Sequence, residues 1–210
     1  MVTTHQDDLN IYKLIDSIDS NIVNIEVLLI VVSQECTIIY ETKNPLLTIV
    51  FIQESKTGLS KARNVALNFL SQNTISAEYI MFPDDDSSFD QEFFINFPAI
   101  LNSNKCFIIP IYNEGTKDLY FGKRTKENKL IKPMNHQLIG SPNQIILYNL
   151  LKKDIVFNEE LGVGAKYGSS EDLDLFLNLY LKGNSFVFTN KLYNFHPKKV
   201  AAYKNVPLQN

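Results

Sequence analysis

The strongest constraint on the fold is a series of short apolar runs that are continuous rather than alternating, at residues 27–32, 47–52, 79–82, 107–111 and 186–189. A strand with one wet face alternates polar and apolar residues, whereas a strand covered on both faces does not. Runs of this length therefore suit a mostly parallel sheet with helices on its two sides. Helical stripes lie between them. After Ser60, which reads as an N-cap, apolar residues fall at Ala62, Val65, Ala66, Phe69 and Leu70, the spacing of one helix face. The segment 171–182 repeats that stripe at Leu173, Phe176, Leu177, Tyr180 and Leu181, and Gly183 supplies a stop. A first helix over 9–19 carries Ile11, Leu14, Ile15 and Ile18. Strands alternating with helices predict an α/β domain whose ligands bind at the carboxyl ends of the strands.

The chain has 210 residues, enough for a single domain with one buried core. Hydrophobic residues at 45% against charged residues at 20% mark a globular chain rather than a disordered one. A net charge of −3 gives no global field for nucleic acid. Cys36 and Cys106 lie far apart without metal-ligand spacing, which suggests a reducing compartment and no disulfide framework. No apolar run approaches the roughly 20 residues of a membrane span. No basic start followed by an apolar signal region opens the chain, so the expected location is cytoplasmic. At the other end Lys198, Lys199 and Lys204 stand beside Val200 and Tyr203. Such a tail is either a solvated chain end or a peripheral contact with the inner face of an anionic membrane.

The run 79–82 leads through Pro83 into Asp84, Asp85 and Asp86. Two unit charges 4 Å apart repel by about 1 kcal/mol in water and about 4 kcal/mol at the reduced dielectric near a protein surface. Three adjacent carboxylates at the mouth of a sheet therefore call for a positive partner. A hard divalent cation held against substrate phosphates supplies one. On an extended segment Asp84 and Asp86 would point to the same side. The competing reading is a turn, since Asp, Pro and the following Ser87 and Ser88 suit a loop before a helix near Gln91.

Glu171 and Asp172 follow Gly168-Ser169-Ser170 and open the second amphipathic stripe. Acids there complement the helix dipole, and Ser169 with Asp172 mimics a capping box. The same placement keeps a carboxylate ionised, as a general base requires. The glycine-containing run 161–165 before it would let the backbone approach a sugar closely, or is a plain loop.

Taken in order, these segments resemble the inverting family 2 glycosyltransferases of GT-A fold, and especially their bacterial cell-surface polysaccharide members. The resemblance is carried by 58–67 (GLSKARNVAL), 82–86 (FPDDD), 157–165 (FNEELGVGA), 170–174 (SEDLD) and Phe195-His196-Pro197, spanning roughly residues 4–197. It implies a single Rossmann-like GT-A domain over 1–210, with a mostly parallel central sheet flanked by helices. Residues 1–86 would form the nucleotide-sugar-binding half, and 87–210 the half that binds the acceptor and carries the base. Asp84 and Asp86 would form a DXD motif holding Mn²⁺ or Mg²⁺ against the donor diphosphate, with His196 as a further metal or diphosphate contact. Asp85 would lie near the ribose, Arg63 near the nucleotide, and Asn64 would support the adjoining loop. Asp172 would be the catalytic base and Glu171 its support. The implied reaction moves a hexosyl-type sugar from a nucleotide-diphosphate sugar to a saccharide or lipid-linked saccharide acceptor in surface polysaccharide synthesis.

From the residues alone, His196 beside Pro197 reads as an exposed loop residue, its metal role resting on the resemblance, and Arg63 could be a surface charge on its helix. Two features depart from the family pattern. Only Met1-Val2-Thr3-Thr4-His5 precedes the first helix, so the opening strand is short, with Thr4 matching the Thr-containing loop. The strand over 27–32, which in the family ends in an Asp that reads the base, continues here into Ser33-Gln34-Glu35, leaving Ser33 for that contact. Two other functions share the pattern. A nucleotidyltransferase acting on sugar phosphates would also use paired acids and Mg²⁺, but would want a Gly-rich basic phosphate loop near the N-terminus, and none is visible. A non-catalytic GT-A-like binding protein would account for the short first strand and Ser33.

Overall fold

The computed structural model describes residues 2–4, 8–34, 37–55, 58–101, 103–151 and 156–198, with side chains from residue 10 onward. Cys36 and the tail residues Lys199, Val200, Tyr203 and Lys204 lie outside them, as does the side chain of Thr4. The elements in chain order are β1 (Val2–Thr4), α1 (Asp8–Asn21), β2 (Val27–Gln34), β3 (Leu47–Glu54), α2 (Leu59–Gln72), β4 (Tyr79–Ile80) and α3 (Gln91–Asn96). They continue with β5 (Cys106–Ile108), β6 (Ile111–Asn113), β7 (Leu130–Ile131), β8 (Gln144–Leu147), α4 (Glu171–Leu181), β9 (Phe186–Phe188) and β10 (Asn194–His196). Pro110, which has no N–H for a ladder, divides the run expected over 107–111 into two strands.

Strands β1, β2 and β3 are parallel, and β6 pairs in parallel with β10. In the order β4-β8-β5-β9-β7, the β5–β9 pair is parallel while β8 and β7 run antiparallel to their neighbours. The continuous apolar runs are explained by what covers each face. In β2, Leu29 and Val31 pack with Ile11, Leu14, Ile15 and Ile18 of α1, while Ile30 and Val32 pack with Ala62, Ala66, Leu67 and Leu70 of α2. The same alternation holds in β5 and β9. Phe107 and Val187 turn to the α1 side; Cys106, Ile108, Phe186 and Phe188 turn to the side of α2 and α4. Both faces are dry, so neither needs polar residues.

The amphipathic helices are as expected in place, but two are rotated about their axes. In α2 the buried residues are Ser60, Ala62, Arg63, Asn64, Ala66, Leu67 and Leu70, so Val65 and Phe69 sit at the margin. In α4 they are Glu171, Leu175, Phe176 and Leu179, and Leu181 is exposed. Each rotation turns a charged residue inward, and those residues build the site. Caps differ as well. Gly58, not Ser60, precedes α2. Ser170 precedes α4 in a left-handed conformation without a side-chain cap bond, in place of a Ser169–Asp172 box.

Candidate active site

The loop after β4 is a turn, closed by the Ser87 N–H donating to the Asp84 carbonyl at 3.0 Å. Asp84 and Asp86 nevertheless converge, because the loop is stitched to β10. Ser88 and Phe195 exchange two backbone hydrogen bonds of 2.9 Å, which sets His196 Nε2 2.8 Å from Asp86 Oδ1 and 3.8 Å from Asp84 Oδ2. Turn and metal readings are thus compatible. One ligand atom from each of Asp84, Asp86 and His196 lies within 4.8 Å of the others. His196 is buried in a strand rather than exposed in a loop.

Its ring is fixed on two sides. Tyr120 stacks on it at 4.0 Å and 21°, and Nδ1 lies 3.0 Å from the Pro197 carbonyl. A carbonyl only accepts, so Nδ1 carries a hydrogen and Nε2 is left to face Asp86, the arrangement that orients a metal-binding imidazole. Among the described residues no hydrogen-bond donor of good geometry satisfies the buried Asp86 Oδ1. An imidazole lone pair and a carboxylate oxygen at 2.8 Å need a proton or a cation between them. Two carboxylates and an imidazole suit Mn²⁺ or Mg²⁺.

Without a cation, protons do this work. Burial pulls the His196 pKa down, but Asp86, the Pro197 carbonyl and the charge of Asp84 raise it above the ordinary histidine value. Burial pushes Asp84 up to about 6, where repulsion from Asp172 and Asp86 adds to it and Arg63 and His196 oppose it. A cation held here would have to displace these protons, so its affinity is expected to fall as pH drops through about 6. Titration with Mn²⁺ between about pH 5 and about pH 7.5 is expected to show affinity rising with pH. A flat profile would mean that these groups do not hold the ion.

Arg63 stands behind this cluster. It is 3% exposed, with Nη2 3.8 Å from Asp84 Oδ1, and Nη1 3.5 Å from Glu171 Oε1 and 3.3 Å from Asp172 Oδ1. It is therefore a buried hub, not a surface charge. Its Nη1 also donates to Ser141 Oγ at 2.6 Å, and Ser141 Oγ donates to Asp172 Oδ1. Both donors engage the same oxygen, Asp172 Oδ1. The guanidinium lies 5.1 Å from the Phe157 ring centre, and Phe157 meets Phe82 edge-on at 4.9 Å. Glu171, held in this dry setting, is raised by burial and by the adjacent Asp172 charge.

The run 161–165 closes over the start of α2. Val163 accepts a hydrogen bond from the Leu59 N–H at 2.9 Å, and Leu161 accepts one from Ser60 Oγ at 2.6 Å. A Cβ on Gly164 (φ +82°) would come within 3.0 Å of Gly58 Cα, so the close approach these glycines permit in the structure is between two backbones. Asn64 holds 157–159 as expected, exchanging hydrogen bonds of 2.9 Å with the Phe157 backbone and donating to Glu159.

In front of Arg63 and the acids opens a cavity of about 300 Å³ lined by Gln34, Leu59, Arg63, Pro83, Asp84, Asp85, Asp86, Val163 and His196. Of the expected site residues, Arg63, Asp84, Asp85, Asp86 and His196 meet there, and Asp172 and Glu171 adjoin through Arg63. Ser33 is buried, paired in register with Thr4, and the next residue, Gln34, reaches the cavity wall. The signal for Gln34 was its parity with Ile30 and Val32, which face α2. Ser141, Gln144, which donates to the Asp172 carbonyl at 3.2 Å, and Tyr120 carried no comparable sequence signal.

The cavity opens at the carboxyl ends of β2 and β4 and is rimmed by acids, and the α/β fold around it is GT-A. The chain superposes on S. aureus TarS with a TM-score of 0.70 at 22% identity, covering 93% of this chain and 36% of that one. Against S. aureus TarS 1–349 in complex with UDP-GlcNAc the TM-score is 0.67 at 22% identity, covering 94% and 57%. Against GalNAc-T7 with UDP, GalNAc and Mn²⁺ it is 0.62 at 11% identity, covering 95% and 43%. The chain thus spans less than two thirds of the length of each. No protein-family model matches the sequence, and no curated protein sequence does. No helix among the described residues is long and apolar enough to cross a membrane.

Proposed function

We propose that the chain is a metal-dependent, inverting glycosyltransferase of family 2 type, moving a hexosyl-type sugar from a nucleoside-diphosphate donor to a saccharide or lipid-linked saccharide, in surface polysaccharide synthesis. The observation that carries this reading is the convergence of Asp84, Asp86 and His196 at one end of a cavity with Asp172 held next to them through Arg63. The fold's likeness to enzymes solved with UDP, UDP-GlcNAc and Mn²⁺ supports the donor class.

In this reading Asp84, Asp86 and His196 hold Mn²⁺ or Mg²⁺, which when bound neutralises the leaving diphosphate as a Lewis acid. Asp85, Arg63 and Gln34 line the donor pocket, with Thr4 and Ser33 at the neighbouring strand ends. Asp172 Oδ2 accepts the acceptor hydroxyl's proton as that oxygen bonds to the anomeric carbon. The bond from carbon to phosphate oxygen breaks on the opposite face, and its electron pair leaves with the diphosphate. Arg63 and Ser141 fix Asp172 Oδ1 throughout, and Glu171 closes the rear of the site. Residues 1–86 contribute most of the donor side, and 87–210 the base together with His196.

Incubation with Mn²⁺ and a panel of nucleotide sugars tests the reading. Donor hydrolysis or sugar transfer is expected. Pyrophosphate release from nucleoside triphosphate plus sugar phosphate would instead mark a nucleotidyltransferase, and absence of any nucleotide binding would mark a non-catalytic protein.

A further inference from the structure

The segment leading away from Tyr120 is strongly basic. Between residues 123 and 132 it carries Lys123, Arg124, Lys126, Lys129 and Lys132 against a single acid, Glu127, in a chain whose acids outnumber its lysines and arginines by 23 to 20. Glu127 reduces this charge but leaves a net +4 over 123–132, and its carboxylate accepts from the Thr189 hydroxyl at 2.9 Å and the Asn190 N–H at 2.7 Å. Lys191, beside that anchor, is exposed and adds a further cation. A tight turn closes with the Lys129 N–H donating to the Lys126 carbonyl at 3.3 Å; Lys123, Arg124, Lys126 and Lys132 are exposed and Lys129 is half-buried. The segment then enters β7, the last strand in the order of its sheet, where Ile131 is buried and Leu130 points out, 46% exposed. Met134, two residues beyond Lys132, is 76% exposed.

We infer that residues 123–134, with Lys191, form a docking surface for an anionic phospholipid bilayer. Cations set beside protruding aliphatic side chains match an interface of negative headgroups over hydrocarbon. A single-stranded nucleic acid would use aromatic stacking platforms, and 123–134 contains no aromatic residue. The surface starts three residues from Tyr120, which stacks on His196, so docking would hold the candidate active site close to the lipid face. This inference does not depend on the transfer reaction.

Vesicle co-sedimentation of the full chain tests it, comparing phosphatidylcholine alone with phosphatidylcholine mixed with phosphatidylglycerol at low and high salt. Binding is expected only to the anionic vesicles and is expected to weaken with salt. A Lys123→Glu/Arg124→Glu/Lys126→Glu variant is expected to lose binding by on the order of 100-fold, since each basic residue near such a surface is worth about fivefold. A Lys61→Glu/Lys105→Glu/Lys182→Glu variant, making the same change of net charge at exposed positions elsewhere, is expected to retain most of it. Leu130→Ser/Met134→Ser is expected to weaken vesicle binding severalfold without changing binding to soluble polyphosphate. Equal loss in the two triple variants, no vesicle binding at low salt, or vesicle binding indifferent to Leu130→Ser/Met134→Ser would overturn the assignment.

Discussion

Asp172→Asn is expected to lower turnover by about 10²–10⁴-fold, the usual worth of a positioned general base, while leaving donor affinity unchanged. The substitution is nearly isosteric. An Asn side-chain oxygen still accepts from Ser141 Oγ and Arg63 Nη1, as Asp172 Oδ1 does at 3.3 Å from the latter, so the local frame and the cavity wall persist. What disappears is the basicity of the second oxygen. Steady-state kinetics with donor titration separates the two effects: kcat falls and donor Kd stays. A variant turning over at the parental rate would remove Asp172 from the role of base.

The largest stability effect is expected at Arg63. Its guanidinium is almost fully enclosed and faces Asp84, Glu171 and Asp172 within 3.8 Å. Arg63→Met fills much of the same space but leaves those acids without their cation, a loss of about 3–5 kcal/mol when a buried charge loses its partner. For a chain of this size that corresponds to a melting temperature lowered by roughly 6–20 °C. Arg63→Lys is expected to recover little, because an ammonium is a single point charge and cannot present separate N–H groups to Asp84 and to the Ser141–Asp172 pair. Thermal melts of the three proteins check this, and a shift below about 2 °C in Arg63→Met would mean the acids are stabilised by other means.

The two-faced sheet was legible because β2, β5 and β9 are covered on both sides, and Ile11, Leu14, Ile15 and Ile18 of α1 pack as their spacing predicts. The acidic triplet was legible because its repulsion demands an explanation wherever it sits. Less visible were features decided by segments distant in sequence. Ser60 cannot cap α2, because the loop bearing Gly164 docks on Gly58 and draws the Ser60 hydroxyl to Leu161. Apolar spacing missed the rotation of α2 and α4 because the buried faces include Arg63 and Glu171, charges tolerated inside because Arg63 meets Glu171 together with Asp84 and Asp172. Arg63 and Ser141, 78 residues apart, become partners only once the turn before β8 reaches α2. Gln34 was within reach of a period-two reading of β2; Tyr120 was not, since its ring matters only beside His196.

In the proposed function, Asp84, Asp86 and His196 grip a divalent cation and, through it, a diphosphate. Calorimetric titration of UDP into the protein with and without Mn²⁺, repeated with Asp86→Ala, tests it most directly. Binding that depends on Mn²⁺ in the parent and is lost in Asp86→Ala is the predicted result. UDP binding of equal strength with and without the ion, or unchanged by Asp86→Ala, would contradict it.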